Sequence, residues 1–136
     1  MAKSTSLLEK AYMVDATVEL PLGGGTVTGP TVGAGTMVIA AGVELIDAVG
    51  SADYDVAVGA GSLTFMATTA VDSDTAGTFV AGTQTPGVIA AEDTIDVVAT
   101  AGADASADIT ARVFAIVVNV GDASRTADEV DRDQLA

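Results

Sequence analysis

The chain has 136 residues, enough for one domain with a sizeable core, and 49% of them are hydrophobic. Nineteen acids against five bases give a formal net charge of −14 at pH 7, while the mean hydropathy of +0.49 argues against a disordered acidic tail. Nucleic acid is not an expected partner, because residues 11–111 contain no base and cannot form a basic patch.

The chain lacks cysteine, histidine and tryptophan. Disulfides, Ser-His or Cys-His nucleophiles and the commonest zinc ligands are therefore excluded, and we expect no enzyme, no cofactor and no metal site. Two pairs of carboxylates leave a metal site and a catalytic site open as alternatives. Asp72 and Asp74 could contribute to a weak calcium site, although the spacing of an EF-hand loop is missing. Asp53 and Asp55 could form a glycosidase pair, although few aromatic residues are available to stack on a sugar.

The acidity has two interpretations. It keeps a surface soluble in concentrated salt, where screening removes the repulsion between like charges, or it forms a face for a basic partner. The acids are spread along the whole chain and lysine is nearly absent, which favours the first interpretation.

Residues 1–12 differ in composition from the rest of the chain and contain no glycine. The Ser6-x-x-Glu9 spacing is typical of a capping box, so one helical turn, an extended arm and a frayed terminus all remain open. The bases of this segment favour an arm that lies on its own acidic domain or on a neighbour. No signal peptide and no membrane span are expected, because the apolar runs are too short.

Alternation with a period of two predicts strands through the body of the chain. Residues 14–22 form the first predicted strand, with Val18, Leu20 and Leu22 facing inward. Residues 37–59 are predicted to be a hairpin of two paired strands with a turn at residues 50–52, in which Tyr54 and the alternate residues after it share the dry face. Further strands are predicted at residues 26–28, 62–70, 78–81 and 94–99, and residues 88–89 follow a predicted turn at residues 85–87.

The last predicted strand, residues 109–120, is apolar on both faces. Phe114, Ile116, Val118 and Val120 form one of these faces. Val113 and Val117 make the other face unusually apolar too. A strand that is apolar on both faces is predicted to lie in the middle of a sheet or against a neighbouring subunit.

Turn residues that recur every eight to twelve positions, roughly, are typical of sandwiches and barrels. The predicted fold is all-β: a single antiparallel, jelly-roll-like β-sandwich with an extended N-terminal arm and a C-terminal tail. The predicted boundaries are an arm at residues 1–12, a sandwich domain at 13–121 and an acidic, polar tail at 122–136, in which residues 126–135 are a candidate short helix.

The order of several segments resembles the small capsid decoration, or cement, proteins of tailed viruses. The segments are residues 38–43 (VIAAGV), 54–59 (YDVAVG), 74–77 (DTAG), 90–97 (AAEDTIDV) and 112–118 (RVFAIVV). The acidic composition additionally resembles proteins of halophilic organisms, which would indicate a haloarchaeal virus.

The resemblance implies a non-enzymatic virion protein, made in the host cytoplasm, that sits on the capsid exterior and bridges major capsid protein subunits as a homotrimer. The candidate interface residues are Lys3, Leu7, Leu8, Lys10, Tyr12, Val113 and Val117. The alternative is a spike, tail or adhesin module that binds a host surface ligand. Loops of Gly, Ala, Ser and Asp disfavour that alternative, since such modules need aromatic and polar binding loops.

Overall fold

The structure is a computed structural model that describes residues 10–46, 54–71, 79–102 and 108–120. In these ranges every regular element is a strand: β1 (Tyr12–Leu20), β2 (Gly25–Val32), β3 (Thr36–Leu45), β4 (Tyr54–Ala60), β5 (Leu63–Val71), β6 (Phe79–Val80), β7 (Gly87–Ile89), β8 (Asp93–Ala101) and β9 (Ile109–Asn119). The predicted all-β fold is confirmed. The described residues contain no helix that is long and apolar enough to cross a bilayer.

The strands form two antiparallel sheets packed as a sandwich. The first sheet has the order β1-β9-β3-β6, with β7 also paired to β3, and the second has the order β2-β8-β4-β5. Most connections between β1 and β9 cross from one sheet to the other, and β1 to β4 each lie beside a strand from the second half of the chain. This is the arrangement of a jelly roll, so the predicted sandwich architecture is confirmed.

The core lies between the sheets and consists mainly of valine and alanine, with Tyr54, Phe65 and Met66 among its largest members. Period-two alternation places Tyr54, Val56 and Val58 of β4 on the buried face, as predicted. Burial raises the pKa of the Tyr54 phenol, and the negative charge of Asp108 raises it further, so this ring stays neutral at physiological pH.

The prediction that residues 37–59 form one hairpin is wrong. β3 pairs with β9, β6 and β7 in the first sheet, whereas β4 pairs with β5 and β8 in the second. Alternation fixes which face of each strand is apolar, but not whether two strands share an edge. In a sandwich, two such strands can instead face each other across the core. The predicted turn at residues 50–52 and the candidate helix at 126–135 lie outside the described residues.

The inward assignment of Leu22 is also wrong, because 44% of this residue is exposed. β1 ends at Leu20, and Pro21 cannot donate the next ladder hydrogen bond. The chain then turns, with the Gly24 N–H donating to the Pro21 carbonyl at 2.9 Å.

Gln84 completes the outer edge of the first sheet where β6 and β7 leave a gap beside β3. Its side-chain oxygen accepts a hydrogen bond from the Ala41 N–H at 2.8 Å, and its amide donates to the Gly82 carbonyl at 3.0 Å. The two residues that flank Gln84 form backbone hydrogen bonds to β5 of the second sheet. The Ala67 N–H donates to the Thr83 carbonyl, and the Thr85 N–H donates to the Phe65 carbonyl. The segment around Gln84 therefore joins the edges of both sheets.

We expect Gln84→Ala to lower the free energy of unfolding by about 1–3 kcal/mol, because it leaves the partly buried Ala41 N–H without its acceptor. Urea titration followed by circular dichroism measures this change. Thr83→Ala is the matched control, since Thr83 joins β5 through its backbone, and we expect a change within about 0.5 kcal/mol. Equal losses for the two variants would contradict the role of the Gln84 side chain.

Candidate interaction surface

The outer faces of the two sheets differ in chemistry. In the second sheet, two rows of outward-facing residues run across β2, β8 and β4. One row consists of Thr26, Val98 and Ala57, and the next consists of Thr28, Asp96 and Gly59. Threonine, aspartate and small residues therefore dominate those rows, and Val98 is their large apolar residue. The outer face of the second sheet is therefore suited to contact with solvent.

The outer face of the first sheet carries a patch that we call the apolar patch. Its members come from neighbouring strands and lie in two adjoining rows, and they are Met13, Met37, Val88, Ile116 and Val118. Met13 and Val88 are 48% and 47% exposed, and the other three are half-buried. Ile39, at the bulge of β3, is a further exposed apolar residue beside them. The patch is continuous across β1, β9, β3 and β7.

An aromatic pair continues this face toward the other end of the sheet. The Phe79 and Phe114 rings meet edge to face, with centroids 5.9 Å apart and planes at 78°. Phe114 lies opposite Gly42 in the β9–β3 ladder, and a Cβ at Gly42 would come within 2.8 Å of the ring. Gly42 therefore lets the Phe114 ring lie down on the sheet surface, where it shields the backbone of β3.

Arg112 ties three strands together at the same end. Its guanidinium donates to Asp15 on β1 at 2.9 Å and to Glu44 on β3 at 2.9 Å, and its Cζ lies 5.7 Å from the centroid of the Phe114 ring. The hydrogen bond to Asp15 raises the pKa of Arg112. Arg112 and Lys10 are the two bases among the described residues, and both salt bridges there belong to Arg112. The arginine is thus neutralised by two carboxylates beside the apolar patch.

The predicted interface residues separate into three groups. Lys3, Leu7 and Leu8 lie outside the described residues. Lys10 and Tyr12 are exposed; Tyr12 is the first residue of β1 and is 51% exposed. Val113 and Val117 are fully buried in the core.

The prediction that Val113 and Val117 are interface residues on an exposed face of β9 is therefore wrong. Phe114, Ile116 and Val118 lie on the outer face, and Val120, beyond the end of the strand, is half exposed. Both faces of this strand are apolar, so alternation alone does not distinguish them. The smaller residues fit between two packed sheets, and the larger ones remain outside. Residue size along β9 is the sequence signal that points to the correct face, since the side that faces the core carries Ala111, Val113, Ala115 and Val117.

The carboxylates of the described residues do not gather into a site. Asp55 is exposed on the outer face of the second sheet, while Asp53 and the predicted calcium pair Asp72 and Asp74 lie outside the described residues. A shallow cleft of about 330 Å³ runs between the β4–β5 turn and residues 90–93. In that cleft Asp93 already accepts a hydrogen bond from the Thr94 N–H at 2.8 Å. In the described ranges, no group of three or more acids is placed to hold a metal ion.

Comparison with known proteins gives a fold likeness. No protein-family model matches the chain, and no curated protein matches its sequence. The chain is similar to a chain in the acidic stable capsid structure of Helicobacter pylori bacteriophage KHP30, with a TM-score of 0.51 and 11% identity over 81% of this chain and 91% of that one. A chain in the structure of infectious bursal disease virus Gt strain gives a TM-score of 0.41 at 14% identity, over 82% of this chain and 33% of that one. The first likeness shows a shared sandwich fold, and the second is too weak to support an argument.

Proposed function

We propose that the protein is a non-enzymatic structural component of a virion, and that it docks on a capsid shell through the outer face of its first sheet. The observation that carries the proposal is the apolar patch on the outer face of the first sheet, while threonine, aspartate and small residues dominate the outward rows of the second sheet. An exposed apolar face of this kind is typical of a protein–protein interface. The fold likeness to a bacteriophage capsid chain extends over most of both chains and supports the choice of partner.

In its finer form, the proposal places the protein on the capsid exterior, where it bridges major capsid protein subunits. Trimerisation would fit this role, because three linked copies of a weakly binding face gain affinity through avidity without new contacts. The exposed Lys10 and Tyr12 lie at the start of β1 and would extend the docking surface toward residues 1–9, including Lys3, Leu7 and Leu8. Val113 and Val117 support docking indirectly, by holding β9 in the core.

The test is the copy number of the protein relative to the major capsid protein in purified particles, for the wild type and two variants. Ile116→Asp puts a charge in the apolar patch, and Val98→Asp puts the same charge on the exposed face of the second sheet. We expect the wild type and Val98→Asp to be present at a stoichiometry comparable to that of the major capsid protein. Occupancy by Ile116→Asp should fall by about tenfold or more, since a desolvated charge costs several kcal/mol.

Two outcomes would overturn the proposal. A handful of wild-type copies per particle would indicate a tail or portal-vertex component, and absence from particles would exclude a virion role. If Val98→Asp reduces occupancy as much as Ile116→Asp does, the first sheet is not the docking face.

A further inference from the structure

We infer that two copies of the protein associate in solution through the free edges of β1, which pair antiparallel across a two-fold axis at Ala16. The inference concerns the isolated protein, so it does not rest on the proposed docking on a capsid. It assigns a partner to the long strand edge that the described part of the sandwich leaves open.

The first argument is that the edge of β1 is unprotected. β1 is the terminal strand of the first sheet, and all nine of its residues pair with β9 in one unbroken register. It contains no proline, no lysine and no bulge, which are the features that usually keep an edge strand from pairing with another chain. A regular edge of this length is a template for one more strand.

The other edges of the described strands are blocked or short. β2, the terminal strand of the second sheet, contains Pro30 and a register shift between Thr28 and Thr31. The outer edge of β5 already forms backbone hydrogen bonds with Thr83 and Thr85. β6 and β7 have only two and three residues. Among the described strands, β1 therefore offers the edge that suits a partner.

The second argument is that the core is incompletely covered beside this edge. Val14 and Ala16 of β1 and Val27 of β2 pack against the core, yet all three are only partly buried. The core-facing residues of the interior strand β9, by contrast, are all buried. A strand added to β1 would cover Val14 and Ala16, and the removal of apolar surface from water favours that addition.

The third argument is that β1 is complementary to a second copy of itself. Residues directly opposite each other in an antiparallel pair point to the same side of the sheet. When the nine residues Tyr12–Leu20 of two copies overlap completely, Ala16 lies opposite Ala16 of the second copy, and Val14 lies opposite Val18. The core-facing residues of both strands thus stay on the core side.

Charge selects the same register. With complete overlap, Asp15 lies opposite Thr17 of the second copy and Glu19 lies opposite Met13, so no acid faces an acid directly. Sliding one copy by two residues in one direction places Asp15 opposite itself, and sliding it in the other direction places Asp15 opposite Glu19. Like charges directly opposite each other destabilise a strand pair. The fully overlapped register avoids both conflicts.

The two-fold axis of this pair is perpendicular to the sheet, so the apolar patches of both copies lie on the same outer face of one continuous sheet. Two patches on one face bind a surface with avidity, which makes the pair an alternative to a trimer. Each copy carries a net charge of −14, so we expect the pair to be more stable in concentrated salt, where repulsion between copies is screened.

The absence of cysteine allows a direct test with single-cysteine variants. The thiols introduced by Ala16→Cys lie directly opposite each other in the inferred register, with Cα atoms about 4.5–5.5 Å apart, a separation that a disulfide spans. Thr17→Cys is the control, because its thiols lie diagonally, with Cα atoms about 7–8 Å apart, which is too far for a disulfide. Thr17 is exposed, whereas Ala16 is half-buried, so random collision would favour the control.

Each full-length variant is placed in a glutathione redox buffer with concentrated salt at low protein concentration, and the disulfide-linked dimer is measured on non-reducing gels. We expect Ala16→Cys to form the linked dimer about tenfold faster than Thr17→Cys, since paired thiols have a high effective concentration. Linking through Thr17→Cys that is as fast or faster would indicate random collision or another register, and it would overturn the inference.

A second test changes the charge at the edge without introducing a thiol. The dimer dissociation constant is measured by sedimentation equilibrium, in which we expect the wild type to form a species of twice 13.3 kDa. Met13→Glu creates two like-charge pairs with Glu19 across the axis and should raise this constant by about threefold or more. Met13→Lys should lower it by a similar factor. Val98→Glu and Val98→Lys are the matched controls, because Val98 is 46% exposed and Met13 is 48% exposed.

A wild type that stays monomeric in concentrated salt, or that forms a trimer, would overturn the inference. Equal shifts for the Met13 and Val98 variants would also overturn it, because they would reflect net charge rather than pairing of β1. Neither test uses particles, so the pairing of β1 and the proposed docking on a capsid fail separately.

Discussion

Val117→Asp is expected to unfold the protein, whereas Ile116→Asp, one residue earlier, is expected to leave it folded. Val117 is fully buried between the sheets, and its neighbours Val38 and Tyr12 pair with it in the ladder. A carboxylate at this position loses its hydration without gaining a hydrogen-bond partner, which lowers the free energy of unfolding by more than about 4–5 kcal/mol. The total free energy of unfolding of a domain is only roughly 5–15 kcal/mol. Ile116 faces outward beside Met13 and Ala40, where a carboxylate stays hydrated.

Thermal melts followed by circular dichroism, together with size-exclusion chromatography, measure the difference. We expect Ile116→Asp to retain a strand-type spectrum and a cooperative melt with a loss within about 1 kcal/mol. If Ile116→Asp unfolds and Val117→Asp melts normally, the two faces of β9 are reversed and the apolar patch does not exist.

The second large effect is expected from salt. The net charge is −14, and both salt bridges of the described residues are formed by Arg112. Few positive charges therefore offset the repulsion between the acidic side chains. Screening shortens the Debye length from about 30 Å at 0.01 M to about 3 Å at 1 M. We therefore expect the free energy of unfolding to rise by several kcal/mol over this range, which corresponds to a melting temperature higher by roughly 10 °C or more.

Melting temperatures measured from low to molar sodium chloride test this expectation. The matched variant replaces three exposed acids outside the Arg112 cluster by their amides: Glu19→Gln, Asp55→Asn and Glu92→Gln. It should melt at a higher temperature than the wild type in low salt and show a shallower rise with salt. A flat melting temperature for the wild type would argue against the interpretation of the acidity as an adaptation to concentrated salt.

The apolar patch explains how an incorrect residue assignment came from a correct observation. The sequence shows that β9 is apolar on both faces, which indicates burial on one side and a contact on the other. Val113 and Val117 are chemically as suitable for that contact as Ile116 and Val118. Which pair faces the core depends on the space between the sheets, where small alanines fit beside the valines.

The predicted hairpin has a similar explanation. Tyr54, Val56 and Val58 carry a strong alternating pattern, as do Val43 and Leu45, and the structure buries all five. Pairing between β3 and β4 would be local, but β3 instead pairs with β9, which lies more than 60 residues later in the chain. Edge-to-edge pairing leaves no local sequence signal when the partner is distant.

By itself, the sequence determined the strand content, the dry face of most strands and the exclusion of cysteine and histidine chemistry, because these follow from period-two alternation and residue type. The tertiary structure decided the strand order, the inward face of β9 and the grouping of Met13, Met37, Val88, Ile116 and Val118 into one patch. Those features depend on which distant strands pair and on how closely two sheets pack, and both are set by the whole core.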